Sequence, residues 1–238
     1  MRRLIRTLLL SVAGVSLSSC LFIGPSISGN GQVREEIRKT VDFHGISVTS
    51  GMNVHLIQGD TPKVVVVADE NLLPYIETNV ENGILEIKTK AGIWKAKEKK
   101  VMVTTPDLTE ISGTAGSNLY SDNTLKAGEL SVRGSAGSNI HLGIDGRKVD
   151  VTASSGSNIF LEGSAVELDI KTSSGANIKA GKVKTDKCSV SASSGGNTWI
   201  SVLSELSAHA SSGGNIFYSG TPESLNISSS SGGNVIKK

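Results

Sequence analysis

Seven copies of one short turn, spaced almost evenly along the second half of the chain, limit what this sequence can fold into. They read SGTAGSN ending at Asn118, RGSAGSN at Asn139, ASSGSN at Asn158, TSSGAN at Asn177, ASSGGN at Asn197 and again at Asn215, and SSSGGN at Asn234. Successive asparagines stand 21, 19, 19, 20, 18 and 19 residues apart. Helical repeats need longer periods and better helix formers than Ser-Ser-Gly-x-Asn. The spacing suits one coil of a parallel β-solenoid, in which short strands and tight turns return the chain one strand spacing, ~4.8 Å, higher. Ser50-Gly51-Met52-Asn53 reads as a degenerate earlier copy.

The residue types within the repeat predict its facing. Glycine supplies positive φ at the corner, and the asparagine is expected to occupy the left-handed region while bonding nearby backbone. Stacking would lay the amides of Asn118, Asn139, Asn158, Asn177, Asn197, Asn215 and Asn234 over one another, so that donors and acceptors pair along a structural ladder. One residue after each asparagine stand Leu119, Ile140, Ile159, Ile178, Thr198, Ile216 and Val235, the expected inward column. Two after it stand Tyr120, His141, Phe160, Lys179, Trp199, Phe217 and Ile236, which alternation turns outward. Before the turn, Val132, Val151, Ile170, Val190, Ala208 and Ile227 form a second inward column.

The first half is β-like but irregular. Residues 32–106 alternate apolar and polar in short runs, Asn82-Gly83 signals a two-residue hairpin, and Asn71–Ile76, with Pro74 inside, suits one helical turn. With 27 glycines and only 4% aromatic residues, residues 32–238 read as a single all-β domain, irregular coils over 32–106 and regular repeats over 107–238. The extreme N-terminus is different. Arg2, Arg3 and Arg6 flank an apolar run from Leu4 to Leu17, too short for a membrane span, that ends in Leu17-Ser18-Ser19-Cys20. This resembles a bacterial lipoprotein signal: residues 1–19 would be removed, the Cys20 thiol would be lipidated with palmitate-type acyl chains, and 20–31 would be a mobile tether. Removing the three arginines leaves 21 basic against 22 acidic residues, so no basic field argues for nucleic acid as a partner.

Phe43-His44-Gly45-Ile46-Ser47-Val48 followed by Gly51-Met52-Asn53-Val54, together with the lipobox and the serial Gly-x-Asn turns, resembles the bacterial head GIN domain family, whose members carry the name auto-transporter adhesin. The resemblance runs from about Val41 to Lys238. It implies a right-handed β-helix in a cell-envelope lipoprotein, and it brings no catalytic residues with it. Lipoproteins of this kind carry acidic residues just after the cysteine when they are sent to the surface. Leu21-Phe22-Ile23-Gly24 has none, which favours the periplasmic face of the outer membrane over the cell surface.

Parallel β-helices also include polysaccharide-active enzymes, the rival reading. Such a site needs acids or a metal converging on one face. Asp150, Glu162, Asp169, Asp186 and Glu205 are expected to share no position in the repeat, and His141 and His209 fall out of register, so neither an enzyme, a cofactor nor a metal centre is expected. Cys188 alternates with Val190 and reads as a buried structural thiol. What rises above background is the outward column, where Tyr120, Phe160, Trp199 and Phe217 form an interrupted aromatic strip. It reads either as a binding strip for a glycan or protein ligand, or as a face covered by the N-terminal strands or a second copy of the chain. Open strand edges make a self-assembling structural envelope protein the second reading of function.

Overall fold

The computed structural model describes residues Ser26–Lys238; the signal segment, Cys20 and the first part of the 20–31 tether lie outside the described residues. The strands are β1 (Ser26–Ser28), β2 (Val33–Arg38), β3 (Gly45–Val48), β4 (Asn53–Gln58), β5 (Lys63–Asp69), β6 (Ile76–Glu81), β7 (Ile84–Thr89), β8 (Gly92–Lys95), β9 (Lys99–Thr105), β10 (Glu110–Gly113), β11 (Asn118–Gly134), β12 (Asn139–Ala153), β13 (Asn158–Thr172), β14 (Asn177–Ala192), β15 (Asn197–Ala210), β16 (Asn215–Ser219), β17 (Ser224–Ser229) and β18 (Asn234–Lys237). From β10 onward they stack in parallel, coil on coil, as a β-solenoid. Asparagine pairs with asparagine at every step, from Asn53 opposite Asn118 to Asn215 opposite Asn234. Asn53 is therefore the first rung, as the degenerate Ser-Gly-Met-Asn copy predicts.

Each repeat turn is a type I′ turn. In one of them the Ser157 N–H donates to the Ser154 carbonyl at 3.1 Å, with φ +50° at Ser155 and +70° at Gly156. The left-handed pair is thus glycine and the small residue before it, not the asparagine. Asn158 and its counterparts open the next strand in extended conformation, because their amides are committed to the ladder. The turns are themselves stacked. The Gly156 N–H donates to the carbonyl of Ser174, the left-handed residue of the next coil, at 3.1 Å, and the bond recurs from Gly116 to Gly213. Buried backbone polar groups at the corners are satisfied in this way.

Both inward columns lie in one continuous core. Leu119, Ile140, Ile159, Ile178 and Ile216 are fully buried, and buried Thr198 bonds through its hydroxyl to that of Thr172 at 2.7 Å. Ile227 departs from its column: it sits on β17 in the last coil, with no following coil above it, and is 41% exposed. Cys188 is buried in the second column, where loss of solvation, and then the nearby Asp169 carboxylate, pushes its thiol up to about 12. Its folded value lies above the ordinary 9.0. Stability is therefore expected to fall as pH rises from about 9 through about 12. At pH 8 native Cys188 should resist alkylation by iodoacetamide and react once the chain is unfolded in urea; rapid native labelling by intact-mass spectrometry would contradict this burial.

The irregular half is threaded out of order. β3 pairs with β10 on one side and with the later β7 on the other, while β4 lies between β11 and the later β9. The 59–109 segment leaves the growing stack, adds strands beneath it, and returns above. Antiparallel β5, between β2 and β9, inserts Val64, Val66 and Ala68 into the core. The hairpin β6–β7 turns at Asn82 and Gly83, both with positive φ. A short 3₁₀ helix, Glu70–Tyr75, carries Pro74 and buries Leu72 and Leu73. The chain is also fixed earlier than the tether composition suggests: β1 pairs in parallel with β8.

Candidate functional site

Strand alternation brings the second residue after each asparagine to one outer face, and pairing sets successive coils one strand spacing apart, the right separation for flat rings to stack. His55 and Tyr120 lie with ring centroids 5.4 Å apart, Tyr120 and His141 5.3 Å, and His141 and Phe160 4.3 Å with planes 14° from parallel. Trp199 and Phe217 stack at 5.2 Å and 16°. Between the two groups of rings, the Lys179 ammonium lies 5.0 Å from the Phe160 centroid and 5.8 Å from that of Trp199. Lys238 lies 4.9 Å over Phe217. These are cation–π distances.

All four strip residues, Tyr120, Phe160, Trp199 and Phe217, therefore share one column, and the gaps between them are filled. His141 and Lys179 complete it, and His55 extends it by one coil. A search for aromatic letters alone passes over them; their offset of two from an asparagine was the signal available. Desolvation between its neighbours holds His141 below its ordinary value, which favours a neutral ring in the stack at pH 7. Beneath it, His55 Nδ1 lies 2.8 Å from an Asp122 carboxylate oxygen.

Stacking changes what the face offers. Rings stacked on one another turn their π-faces inward along the column and their edges to solvent. The faces that Phe160 and Trp199 turn toward each other, two coils apart, have between them the exposed Lys179 side chain in place of a ring. A groove of about 630 Å³ opens at that break, lined by His141, Phe160, Glu162, Lys179, Lys182 and Trp199. Two glycines shape it. A Cβ on Gly181 would meet nothing within 4 Å, and one on Gly143 only ordinary contacts from 3.7 Å. Neither has positive φ. The backbone requires neither glycine, and their missing side chains leave the groove open.

Two of the acids expected to scatter do not. Asp150 and Asp169 stand opposite each other on adjacent coils, beside a smaller concavity of about 280 Å³ that Arg133 and Lys171 also line. Each stands eleven residues after its asparagine, Asn139 or Asn158, so the repeat itself places these two in one column. Another outer column alternates in sign: Glu129, Lys148, Glu167, Lys187 and Glu205 are in register. His209 lies in a different column from His141 and bonds to Ser228. Among the described residues no group of three or more His, Cys, Asp or Glu is placed to hold a metal ion, and no helix is long and apolar enough to cross a membrane.

The sequence profile of one family, described as “Putative auto-transporter adhesin, head GIN domain”, matches residues 42–222. The chain belongs to the head GIN domain family. Its fold is shared by solved structures from Bacteroides and Parabacteroides. A “putative adhesin” of Bacteroides fragilis superposes with a TM-score of 0.82 at 19% identity, over 89% of this chain and 100% of the other. A “putative adhesin” of Parabacteroides merdae reaches 0.71 at 21% identity, over 90% and 99%. A “putative lipid binding protein” of Parabacteroides distasonis also reaches 0.71, at 20% identity, over 90% and 100%. At these identities the likeness concerns the fold. No functionally curated protein matches the sequence. Family membership makes this an adhesin-like protein of the cell envelope or surface.

Proposed function

We propose that this head GIN protein is a non-enzymatic, lipid-anchored binding module of the cell envelope that takes a glycan or protein ligand on its ladder face. The observation that carries the reading is the groove at the Lys179 break. Phe160 and Trp199 stand two strand spacings apart, about 9.6 Å, which leaves room for one ring-shaped group between them once Lys179 swings aside. The apolar faces would hold such a ring, while Lys179, Lys182 and Glu162 are placed to bond its polar substituents. A pyranose ring has this combination of an apolar face and a polar rim. The ladder groove has a single carboxylate in its lining, Glu162, where glycoside hydrolysis ordinarily takes a pair, which supports binding over hydrolysis at this face.

The anchor in this reading is acylated Cys20, in the outer membrane with the solenoid on its periplasmic side, as the lipobox and the non-acidic Leu21–Gly24 suggest. The ligand reading is tested by replacing Phe160 and Trp199 together with Ser and measuring retention of envelope and host polysaccharides on a glycan array. At least a tenfold loss is expected, since each lost aromatic contact contributes about 1 kcal/mol or more beyond its buried area. Thermal unfolding should remain cooperative. Unchanged retention, with the parent binding, would overturn the groove as the ligand site.

A further inference from the structure

The most exposed large apolar side chain among the described residues is Trp94, at 84%. It lies far in sequence from the ladder, on β8, within the run Lys88-Thr-Lys-Ala-Gly-Ile-Trp-Lys-Ala-Lys-Glu-Lys-Lys100, which holds six lysines and one acid. Lys88, Lys90 and Lys100 have carboxylate partners, Glu86, Glu77 and Glu98. Lys95 and Lys97, one and three residues after Trp94 and exposed, have none within 4.0 Å among the described residues.

This segment is tied to the point where the N-terminal chain joins the body. β8 pairs with β1, Ile27 opposite Ile93, and those two side chains pack on the core while Trp94 points away from it. The Gly29 N–H donates to the Lys95 carbonyl at 2.7 Å. Buried Asp69 accepts from the backbone N–H groups of Gly31 on one side, at 2.9 Å, and of Lys97 and Glu98 on the other, at 3.2 and 3.1 Å. Desolvation pushes the Asp69 carboxyl up, but the three amides outweigh it and hold it ionised below its ordinary value. The clamp fixes Trp94 relative to Ser26. Only five residues separate Ser26 from Cys20, and over six steps of ~3.5 Å the acylated thiol lies no more than about 20 Å away.

We propose that the Trp94 edge of β8 is a membrane-resting patch, with Trp94 inserted at the headgroup level and Lys95 and Lys97 on anionic lipid phosphates. Amphipathic tryptophan and lysine are the side chains that suit this boundary. The acyl chains on Cys20 would hold the protein at the bilayer, and a protein-borne contact beside them would add to that attachment. The patch would also orient the solenoid, since rotation about a free tether would be stopped by a second point of contact. This inference rests on the lipid-anchor reading of Cys20.

The test uses the mature chain with Cys20→Ser, which removes the acyl anchor, and vesicles of phosphatidylethanolamine with phosphatidylglycerol, against vesicles of phosphatidylcholine alone. The protein should co-sediment with the anionic vesicles and shift its tryptophan emission to the blue, and both effects should weaken with salt. Adding Trp94→Ser should abolish the shift, Trp199 remaining as constant background, and Lys95→Glu with Lys97→Glu should lower partitioning roughly tenfold. No sedimentation with anionic vesicles, or sedimentation unaffected by either substitution, would overturn the patch; preferential capture of Trp94 by a soluble protein would assign it to another partner and overturn it too. Palmitate labelling of Cys20 in cells is read separately. Labelling without vesicle binding defeats the patch and spares the anchor, whereas vesicle binding without labelling defeats the anchor and spares the patch.

Discussion

Gly214→Ala is expected to lower the unfolding free energy by about 2–3 kcal/mol, as overpacking against unyielding backbone does, while Gly213→Ala beside it costs about 1 kcal/mol. The two glycines look alike in sequence and are needed for different reasons. Gly213 has φ +74° with nothing within 4 Å of a built Cβ, so its substitution is strained but not crowded. For Gly214, whose φ is ordinary, a Cβ would lie 2.4 Å from the Ala192 carbonyl oxygen and 2.7 Å from the Ser193 nitrogen of the coil below. Backbone would have to move to admit it, and the Asn215 rung with it. Gly233 and Gly196 face the same crowding, at 2.4 and 2.8 Å from backbone atoms. At the earlier coils the same position carries a Cβ, Ser117, Ser138, Ser157 and then buried Ala176, and the backbone is spaced to admit it: the Ser157 hydroxyl donates to the Gly134 carbonyl at 2.9 Å and that of Ser117 to the Val48 carbonyl at 3.1 Å. Chemical denaturation of both variants checks the ordering, and equal losses would mean that the turns are not packed against one another as described.

The second large effect belongs to the asparagine ladder. Each Nδ2 donates to the Oδ1 of the preceding rung at 2.9 to 3.1 Å from Asn118 to Asn234, an unbroken one-way chain. Asn177→Ala removes two of these bonds and leaves the Asn158 oxygen and one Asn197 donor without their rung partners. A loss of about 1–2 kcal/mol is expected for two such part-buried groups. Asn177→Asp is expected to cost more, about 2–3 kcal/mol, because it still accepts from Asn197 but sets a charged acceptor against the Asn158 oxygen. Asn234→Ala at the exposed last rung breaks one ladder bond, to Asn215, and a long 3.4 Å contact to the Gly232 carbonyl, and should cost under about 1 kcal/mol. Urea denaturation of the three variants reads the gradient. Equal effects at Asn177 and Asn234 would show that the amides act singly and that the ladder adds nothing.

Regularity decided how much could be read without coordinates. Where the repeat is strict, the facing of Ile140, Ile159 and Ile178 and the amide ladder follow from the period, and in the irregular half the hairpin at Asn82-Gly83 follows from turn chemistry, because short-range sterics and alternation leave one solution. The position of the left-handed residue did not follow. Asparagine is the usual occupant of that region, but here a cross-coil bond claims its side chain, and Ser155, Ser174 and their counterparts take the strained angle. The register of Asp150 with Asp169 was open to counting, each standing eleven residues after its asparagine, but the concavity they share with Arg133 and Lys171 depends on how the coils pack.

By itself the amino-acid order determined a stacked β-coil architecture, its inner columns, its rungs and the column on which the rings stand. These depend on local geometry repeated at a fixed interval, and a period is visible in one dimension. The tertiary structure alone decided the threading of 59–109 beneath and back above β3 and β4, which involves contacts between segments with no shared pattern. It decided that the rings spend their faces on each other and leave a groove only at Lys179, because stacking depends on the distance between coils and the rotamers they permit. It also decided that Trp94 is fixed near the exit of the N-terminal chain, through a buried carboxylate at Asp69 that gathers amides from two distant loops.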